Sequence, residues 1–494
     1  MAPRYWIETL GCPKNEVDSA KLAGTLTAEG FGVADAPELA DLVVVNTCAF
    51  IEAARQESID TVLALDRSRR KGSRLVVTGC LAERYGNELE DALPEVDLVA
   101  PFGVSLTAGR PDHGGTLRPF VPLASAPGSA PAPAPAPAPA PVALGRKPAG
   151  PRTVGDRTVS DFDLLNLPRP PSTAPWAYVK VAEGCDRHCG FCAIPSFRGR
   201  QRSRTTESIF AEVDSLAAGG LLQEIVLVAQ DLASFGLDRW PPASLPGALP
   251  ADAAPSGPAP RRAHGRLQRR PIVDLVKEVA ERVEWVRLLY LYPSRLDEEL
   301  VETIVATGVP YFDLSLQHVS RPLLAAMRRP GNGERFLDRI RSIRALAPGA
   351  AFRSSFIIGY PGETEDDHDL LLDWLDEARL DWVGFFPFSR EEGTPAAQAE
   401  GQVPAELVAE RLRECSERQD AITAARRDDL IGEEVRVLVV APGEGRTYRE
   451  APEIDGIVRI PDDLEVGSFA DLVGTGAAGP DLEASRSVAP CGLR

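Results

Sequence analysis

Trp176 to Arg200 reads WAYVKVAEGCDRHCGFCAIPSFRGR. Its opening residues, WAYVKV, form an apolar run of the length and composition of a buried strand. The chain then turns at once into Cys185, Cys189 and Cys192, spaced CxxxCxxC. Three thiolates on one tight loop can hold three irons of a [4Fe–4S] cube, for which four cysteines are the usual complement. A structural zinc knuckle is the competing reading. Zinc wants a fourth ligand, and His188 sits between two of the cysteines, poorly placed to supply it.

A missing fourth ligand leaves one iron open, much as a catalytic zinc keeps an open position. An open iron can chelate the amino and carboxylate groups of S-adenosylmethionine and deliver one electron to its sulfonium. The 5′-deoxyadenosyl radical so released abstracts hydrogen from unactivated carbon.

Working outward, residues 173–400 repeat strand-like and helix-like segments. The runs EIVLVAQ, WVRLLYLY, YFDLSLQ, AFRSSFIIG and WVGFFPF follow WAYVKV, with helical patterns such as ESIFAEVDSLAAG and IVDLVKEVAERV between them. Six repeats predict an incomplete (β/α)6 barrel. SRLD, Ser294 to Asp297, reads as a capping box opening one helix. Residues 240–271 read as a Pro/Ala-rich surface insertion.

Residues 1–118 show the same alternation, which predicts a parallel α/β domain. Its runs IETLGC, VVVNTC and LVVTGC end at Cys12, Cys48 and Cys80. One such cysteine is ordinarily a small buried filler. Parallel strands point one way, however, so the loops after their carboxyl ends converge. Three cysteines at one topological position would meet there and form a second cluster site, again with an open iron. Cys415 and Cys491 have no such context. Residues 119–172, containing PAPAPAPAPAP, read as an extended linker. A helix is expected over 401–429 and a small antiparallel β module over 430–485.

The chain has 494 residues, 44 of them proline, and a formal charge of −18. Its pI of about 4.9 disfavours a nucleic-acid partner held through phosphate neutralisation and suits a basic one. The terminus MAPRYWIETL has no basic-then-apolar signal, and no apolar run approaches a bilayer span, so a cytoplasmic protein is expected. In a reducing compartment the eight cysteines read as ligands, catalytic thiols or fillers before disulfides.

With these residues in place, the sequence resembles the methylthiotransferase family of radical S-adenosylmethionine enzymes over nearly its whole length. The C-terminal β module then resembles a TRAM domain. LGCPKNEVDS (10–19), VAQDLASFGLD (228–238), REEGTPA (390–396) and GRTYREAPEIDGIV (445–458) are similar to the branch that modifies an aspartate β-carbon of ribosomal protein uS12. The branch that modifies tRNA typically reads GCQMN at the first of these. Ala20 and Phe388 depart from residues common in the family. Residues 431–480 carry ten acidic residues against four arginines and no lysine, a balance suited to a basic ribosomal protein and not to tRNA.

The resemblance implies two [4Fe–4S] clusters, a radical one on Cys185, Cys189 and Cys192 and an auxiliary one on Cys12, Cys48 and Cys80. It implies S-adenosylmethionine as co-substrate and, lining its pocket on loops after the barrel strands, Gln230, Asp231, Ser294, Gln317, Arg353 and Gly359. No catalytic residue beyond the clusters is implied. Expected partners are uS12 or the small ribosomal subunit, a reductase or flavodoxin-type electron donor and a sulfur donor, with no membrane and no direct tRNA substrate. Two readings of Arg198, Arg200, Arg202 and Arg204 stay open: neutralising an anionic cluster, or a solvated face. The alternatives to the main reading are a tRNA methylthiotransferase and, more remotely, a non-catalytic iron–sulfur electron carrier or sensor, or a zinc adaptor.

Overall fold

The computed structural model describes residues 2–107, 163–239 and 270–487. Most of the expected linker (119–172), nearly all of the 240–271 insertion, and Cys491 lie outside the described residues. The described chain falls into two compact units that do not follow sequence order. The first holds the described residues up to Pro170 together with Gly184–Arg200 and Ser389–Ala399. The second holds Pro171–Glu183, Gln201–Phe388 and the described residues from Glu400 onward.

The first unit is built on a five-stranded parallel sheet, β2-β1-β3-β4-β5. Its elements are β1 (Arg4–Thr9), α1 (Pro13–Ala28), β2 (Gly32–Val33), β3 (Leu42–Thr47), α2 (Glu52–Ser68), β4 (Arg74–Gly79), α3 (Cys80–Tyr85), α4 (Asn87–Ala92) and β5 (Leu98–Ala100). All six residues of β3 are buried, as a central parallel strand covered on both faces requires. One apolar cluster fills the face under α2 and α3, with Val43, Val45, Val77 and Leu81 among its members. Another fills the α1 face, with Leu22, Leu26 and Val44. The end of the expected linker is ordered against α1: Leu164 and Leu165 are buried, and the Lys21 ammonium donates to the Leu165 carbonyl at 2.5 Å.

The second unit carries six parallel strands. They are β6 (Trp176–Lys180), β9 (Glu224–Val228), β10 (Trp285–Leu288), β11 (Tyr311–Gln317), β12 (Ala351–Ile358) and β13 (Trp382–Pro387); β7 (Ala182–Glu183) and β8 (Arg202–Ser203) form a short ladder beside them. The strands make two triplets, β10-β9-β6 and β11-β12-β13, bridged at Leu291 and Leu314. This is the incomplete six-stranded barrel expected from the repeats. Its helices are α6 (Thr206–Ala217), α7 (Pro271–Ala280), α8 (Glu298–Ala306), α9 (Arg321–Ala326), α10 (Gly333–Leu346) and α11 (Glu365–Ala378); α5 (Ile194–Arg198) belongs to the first unit. Apolar periodicity places their buried faces, as in α7, where Ile272, Leu275, Val276 and Val279 point inward.

The capping box expected at Ser294–Asp297 does not form. Ser294 lies in a short 3-10 turn, and Asp297 alone caps α8, accepting from the Leu300 N–H at 3.1 Å. The capping box that does form is Thr364 with Asp367 at the start of α11.

After α12 (Ala405–Asp428), strands β14 (Glu434–Ala441), β15 (Glu444–Arg446), β16 (Val458–Arg459), β17 (Phe469–Ala478) and β18 (Asp481–Ser485) close a barrel in the order β14-β15-β16-β18-β17. Its pairs are antiparallel except β16 with β18. The stretch 446–455 from this module packs against the first residues of the large barrel's strands. Tyr178 donates to the Pro452 carbonyl at 2.8 Å, Tyr311 to Asp455 at 2.6 Å, Trp382 to the Arg449 carbonyl at 2.7 Å and Arg287 to the Tyr448 carbonyl at 2.8 Å. GRTYREAPEIDGIV is therefore a buried seal on the amino ends of the strands. Two of the ten acidic residues counted above, Glu450 and Asp455, are spent inside it on Arg427 and Arg353.

His318, just after β11, is fully buried and accepts the Ser320 N–H on Nδ1 at 3.0 Å. Burial, aided by His368 and Arg411 and opposed by Asp367, pushes its pKa down to about 4. A depressed histidine stabilises the fold fully above the unfolded value near 6.5, and that contribution drains away as pH falls toward 4. About 3 kcal/mol should be lost over this window. Thermal unfolding across pH 4–7 is expected to show the loss, and His318→Gln should flatten it; an equally steep curve in the variant would remove His318 as the cause.

Candidate iron–sulfur and nucleoside sites

Strand register brings the first three cysteines together. Thr9 pairs with Asn46 and Thr47 with Gly79, so the next residues of three neighbouring strands lead into Cys12, Cys48 and Cys80 side by side. Gly11 has φ +101°, and a Cβ there would lie 2.7 Å from the Cys48 Cβ and 2.9 Å from its Sγ. Gly79 has φ +88°, and its Cβ would lie 2.6 Å from the Thr47 carbonyl. Only glycine takes both the conformation and the closeness. Gly11→Ala is expected to cost about 1–3 kcal/mol of local strain and to strip the auxiliary site. Iron per reconstituted chain would then drop from about eight toward four, and full retention would disprove the tight packing.

Two asparagines stitch these loops. Asn15 donates to the Leu10 and Thr47 carbonyls at 2.8 and 3.0 Å, while Asn46 donates to the Asn15 carbonyl and the Ser19 hydroxyl at 2.8 and 3.0 Å. Arg198 reaches the same place. Its guanidinium donates to the Asn15 side-chain oxygen at 2.9 Å and lies 2.8 Å from the Cys80 sulfur. The four-arginine string thus splits: Arg198 faces the thiols, Arg200 is exposed on Asp186, and Arg204 is buried on Glu212. Arg202 is exposed on β8.

Burial raises the Cys48 thiol to about 12, helped by the neighbouring Cys80 and Cys12. At Cys12 burial also acts upward, but Lys14 and Arg198 outweigh it and hold the thiol below its usual value. Three thiols that feel one another beside fixed cations suit an anionic, thiolate-bound group. Among the described residues no three His, Cys, Asp or Glu side chains gather closely enough for a single metal ion. A [4Fe–4S] cube takes one thiolate per corner and so asks for wider spacing.

Cys185, Cys189 and Cys192 lie in the same unit. Gly184 has φ +80°, and its Cβ would lie 2.6 Å from the Gly199 carbonyl, which accepts the Cys185 N–H at 3.1 Å. That contact closes the loop at its base. Inside it, the Cys192 N–H donates to the Cys189 carbonyl at 3.2 Å. The helix that follows, α5, buries Phe197 in the apolar cluster that also holds Cys80, Leu81 and Ala82. Three of the six cysteines thus follow a glycine of positive φ. The recurring Gly-Cys pair at 11–12, 79–80 and 184–185 was the signal that reading spacing alone passed over.

In the second unit, Gln230, Asp231, Gln317 and Gly359 stand at the carboxyl ends of β9, β11 and β12, and Ser294 in the turn after β10. Parallel strands share one such rim. Gln317 has φ +73° and Tyr290, after β10, φ +63°, the kind of backbone strain that gathers at ligand sites. Gln230 donates to Glu183 at 2.7 Å, and the buried Lys180 ammonium binds the other Glu183 oxygen at 2.7 Å. Asp231 accepts from the Ser234 hydroxyl at 2.8 Å. The Gly359 N–H donates to Glu363 at 2.7 Å, and Arg411 pairs with that carboxylate at 2.9 Å. Arg353 departs from the expected loop position. It is the third residue of β12 and pairs with Asp313 and Asp455 at 3.3 Å each, at the strands' opposite end.

Three families match the chain: uncharacterized protein family UPF0004 over residues 4–101, the radical SAM superfamily over 179–375 and the TRAM domain over 431–486. The ribosomal protein uS12 methylthiotransferase RimO of Moorella thermoacetica is 40% identical over 463 residues, 93% of each chain. Its namesake from Akkermansia muciniphila is 36% identical over 499 residues, 96% of this chain and 98% of the other. Among solved structures, the radical S-adenosylmethionine methyltransferase TsrM of Kitasatospora setae aligns with a TM-score of 0.47 at 14% identity, over 90% of this chain and 80% of that one.

Proposed function

We infer the work of individual residues from one premise: this chain belongs to the family of ribosomal protein uS12 methylthiotransferases named RimO, which are radical S-adenosylmethionine enzymes. The reaction adds a methylthio group to uS12, at the β-carbon of an aspartate. Bound to the six cysteines, two [4Fe–4S] clusters supply one-electron chemistry on S-adenosylmethionine and a station for the sulfur to be transferred.

The chain's own residues do the holding and orienting. Cys185, Cys189 and Cys192 would hold the radical cluster, and three thiolates in place of the usual four would leave S-adenosylmethionine a place to bind. Gly184 keeps the base of that loop closed. Lys180, Glu183 and Gln230 fix the strand end from which the loop departs. Cys12, Cys48 and Cys80 would hold the auxiliary cluster, and the Arg198 guanidinium beside Cys80 would offset its negative charge. Gln230, Asp231, Ser294, Gln317 and Gly359 form the co-substrate rim, and Arg353 belongs to the opposite seal. Partner chemistry follows: uS12 alone or within the small subunit, a flavodoxin-type reductant or reductase, and a sulfur donor, all in the cytoplasm. Among the described residues no helix is long and apolar enough to cross a membrane.

The observation that carries this reading is that all six cysteines fall in one compact unit, although they are spread from residue 12 to residue 192 of the sequence. The decisive experiment reconstitutes the protein anaerobically and supplies S-adenosylmethionine, sulfide and a reductant. Mass spectrometry of uS12 and of tRNA is then expected to find the methylthio group on a uS12 aspartate. Its appearance on tRNA alone would transfer the protein to the other branch of the wider family.

A further inference from the structure

We propose that residues 389–396 form a positioning strap, with Glu391 as its anchor, that sets the auxiliary-cluster loops and the radical-cluster loop at a fixed separation. Glu391 is 2% exposed. Its carboxylate takes Arg55 and Arg84 at 2.6 Å each and the Ser389 hydroxyl at 2.5 Å. Arg84 stands on α3, the helix that Cys80 begins, and also donates to the carbonyl of Ala49, next to Cys48, at 3.0 Å. Arg55 stands on α2, which follows the Cys48 loop, and the Glu52 N–H of that helix donates to the Ser389 hydroxyl at 3.0 Å. One end of the strap is thereby tied to the two segments that carry Cys48 and Cys80.

The other end is tied to the radical loop. The Ala396 N–H donates to the carbonyl of Gly190, between Cys189 and Cys192, at 2.9 Å. The six residues from Glu391 to Ala396 are internally braced. Thr394 bonds the Glu391 carbonyl through its hydroxyl at 2.7 Å and its N–H at 3.2 Å, then caps the short turn Pro395–Gln398. Gly393, with φ +80°, makes the bend between them. A buried carboxylate shared by two guanidiniums has little freedom, because losing either partner strands a charge.

The proposal rests on the two-cluster reading above. Hydrogen abstraction and sulfur delivery must reach one carbon, and a shift of about 1 Å in such an arrangement can cost roughly a hundredfold. A strap that merely supported folding would lower both half-reactions together. One that sets separation uncouples them.

The test compares anaerobically purified holoenzyme with Glu391→Asp, which keeps the charge but shortens the reach, and Glu391→Ala. The readouts are iron per chain, the electron paramagnetic resonance spectra of the reduced clusters, and 5′-deoxyadenosine formed per methylthiolated uS12. Hydrogen exchange of residues 185–192 in the cluster-free protein adds a readout independent of turnover. Both clusters should persist in Glu391→Asp, the ratio of deoxyadenosine to product should rise at least about tenfold, and exchange at 185–192 should quicken. An unchanged ratio overturns the proposal. So does loss of one cluster's iron from both variants, which would make Glu391 a folding determinant. If the unaltered enzyme itself gives no methylthio product on uS12, the two-cluster reading has failed, and the strap falls with it.

Discussion

Cys189→Ala is expected to abolish reductive cleavage of S-adenosylmethionine, whereas Cys48→Ala should leave that cleavage in place and abolish only methylthio transfer. The two thiols lie in one compact unit, yet they stand on separate loops, one after β3 and one before α5. A cluster left with two of its three thiolates is expected to be lost on purification. Each variant should therefore fall from about eight irons per chain to about four. The difference lies in which four remain. Without the radical cluster no electron reaches the sulfonium, so 5′-deoxyadenosine should be undetectable. Without the auxiliary cluster, cleavage would continue, but the sulfur to be transferred would have no station. Quantifying 5′-deoxyadenosine and methylthiolated uS12 in the same reactions separates the cases. Equal loss of 5′-deoxyadenosine in both variants would refute the assignment of two independent clusters.

The largest effect on stability is expected at Glu224→Ala. Glu224 opens β9 and pairs with Arg287 of β10 and Arg446 of β15 at 2.7 Å each, with all three side chains essentially excluded from water. Burial works against its charge, but the two guanidiniums prevail and hold the carboxyl below its ordinary range. Removing it leaves two cations buried without their counter-charge. Breaking a buried pair from one side costs about 3–5 kcal/mol, which corresponds to a fall in Tm of roughly 6–20 °C. Glu224→Gln, which keeps the shape but not the charge, should fall between the two proteins. A Tm for Glu224→Ala within 2 °C of the unaltered protein would show that the seal between the small β-barrel and the strand starts is not held by this charge triad.

The seal also revises the meaning of a motif. In sequence, GRTYREAPEIDGIV resembled a marker of substrate branch, and the acidity around it spoke for a basic partner. In the fold, Glu450 and Asp455 are consumed by internal arginines, so the outward acidity of the module rests on residues such as Glu433, Asp463 and Glu465. Charge counted along a chain does not distinguish a buried pair from a solvated face. Only the contact between 446–455 and the strand starts made that distinction.

Much was legible beforehand because it is carried by local pattern. Apolar runs separated by amphipathic segments determined both α/β units, since a strand buried on two faces and a helix buried on one have different periods. CxxxCxxC marked Cys185, Cys189 and Cys192 as a candidate ligand set, because three thiols on a short loop are neighbours in any fold. The convergence of Cys12, Cys48 and Cys80 was legible for a different reason: parallel strands align equivalent positions whatever their separation in sequence. What the tertiary structure alone decided is non-local. It gathered residues 184–200 and 389–399 into the unit of the first sheet, set Arg198 against Cys80, moved Arg353 to the sealed end of the strands and spent Glu391 on two distant arginines. A buried charge takes its partner from whichever element the packing brings within reach. Sequence spacing carries no record of that choice.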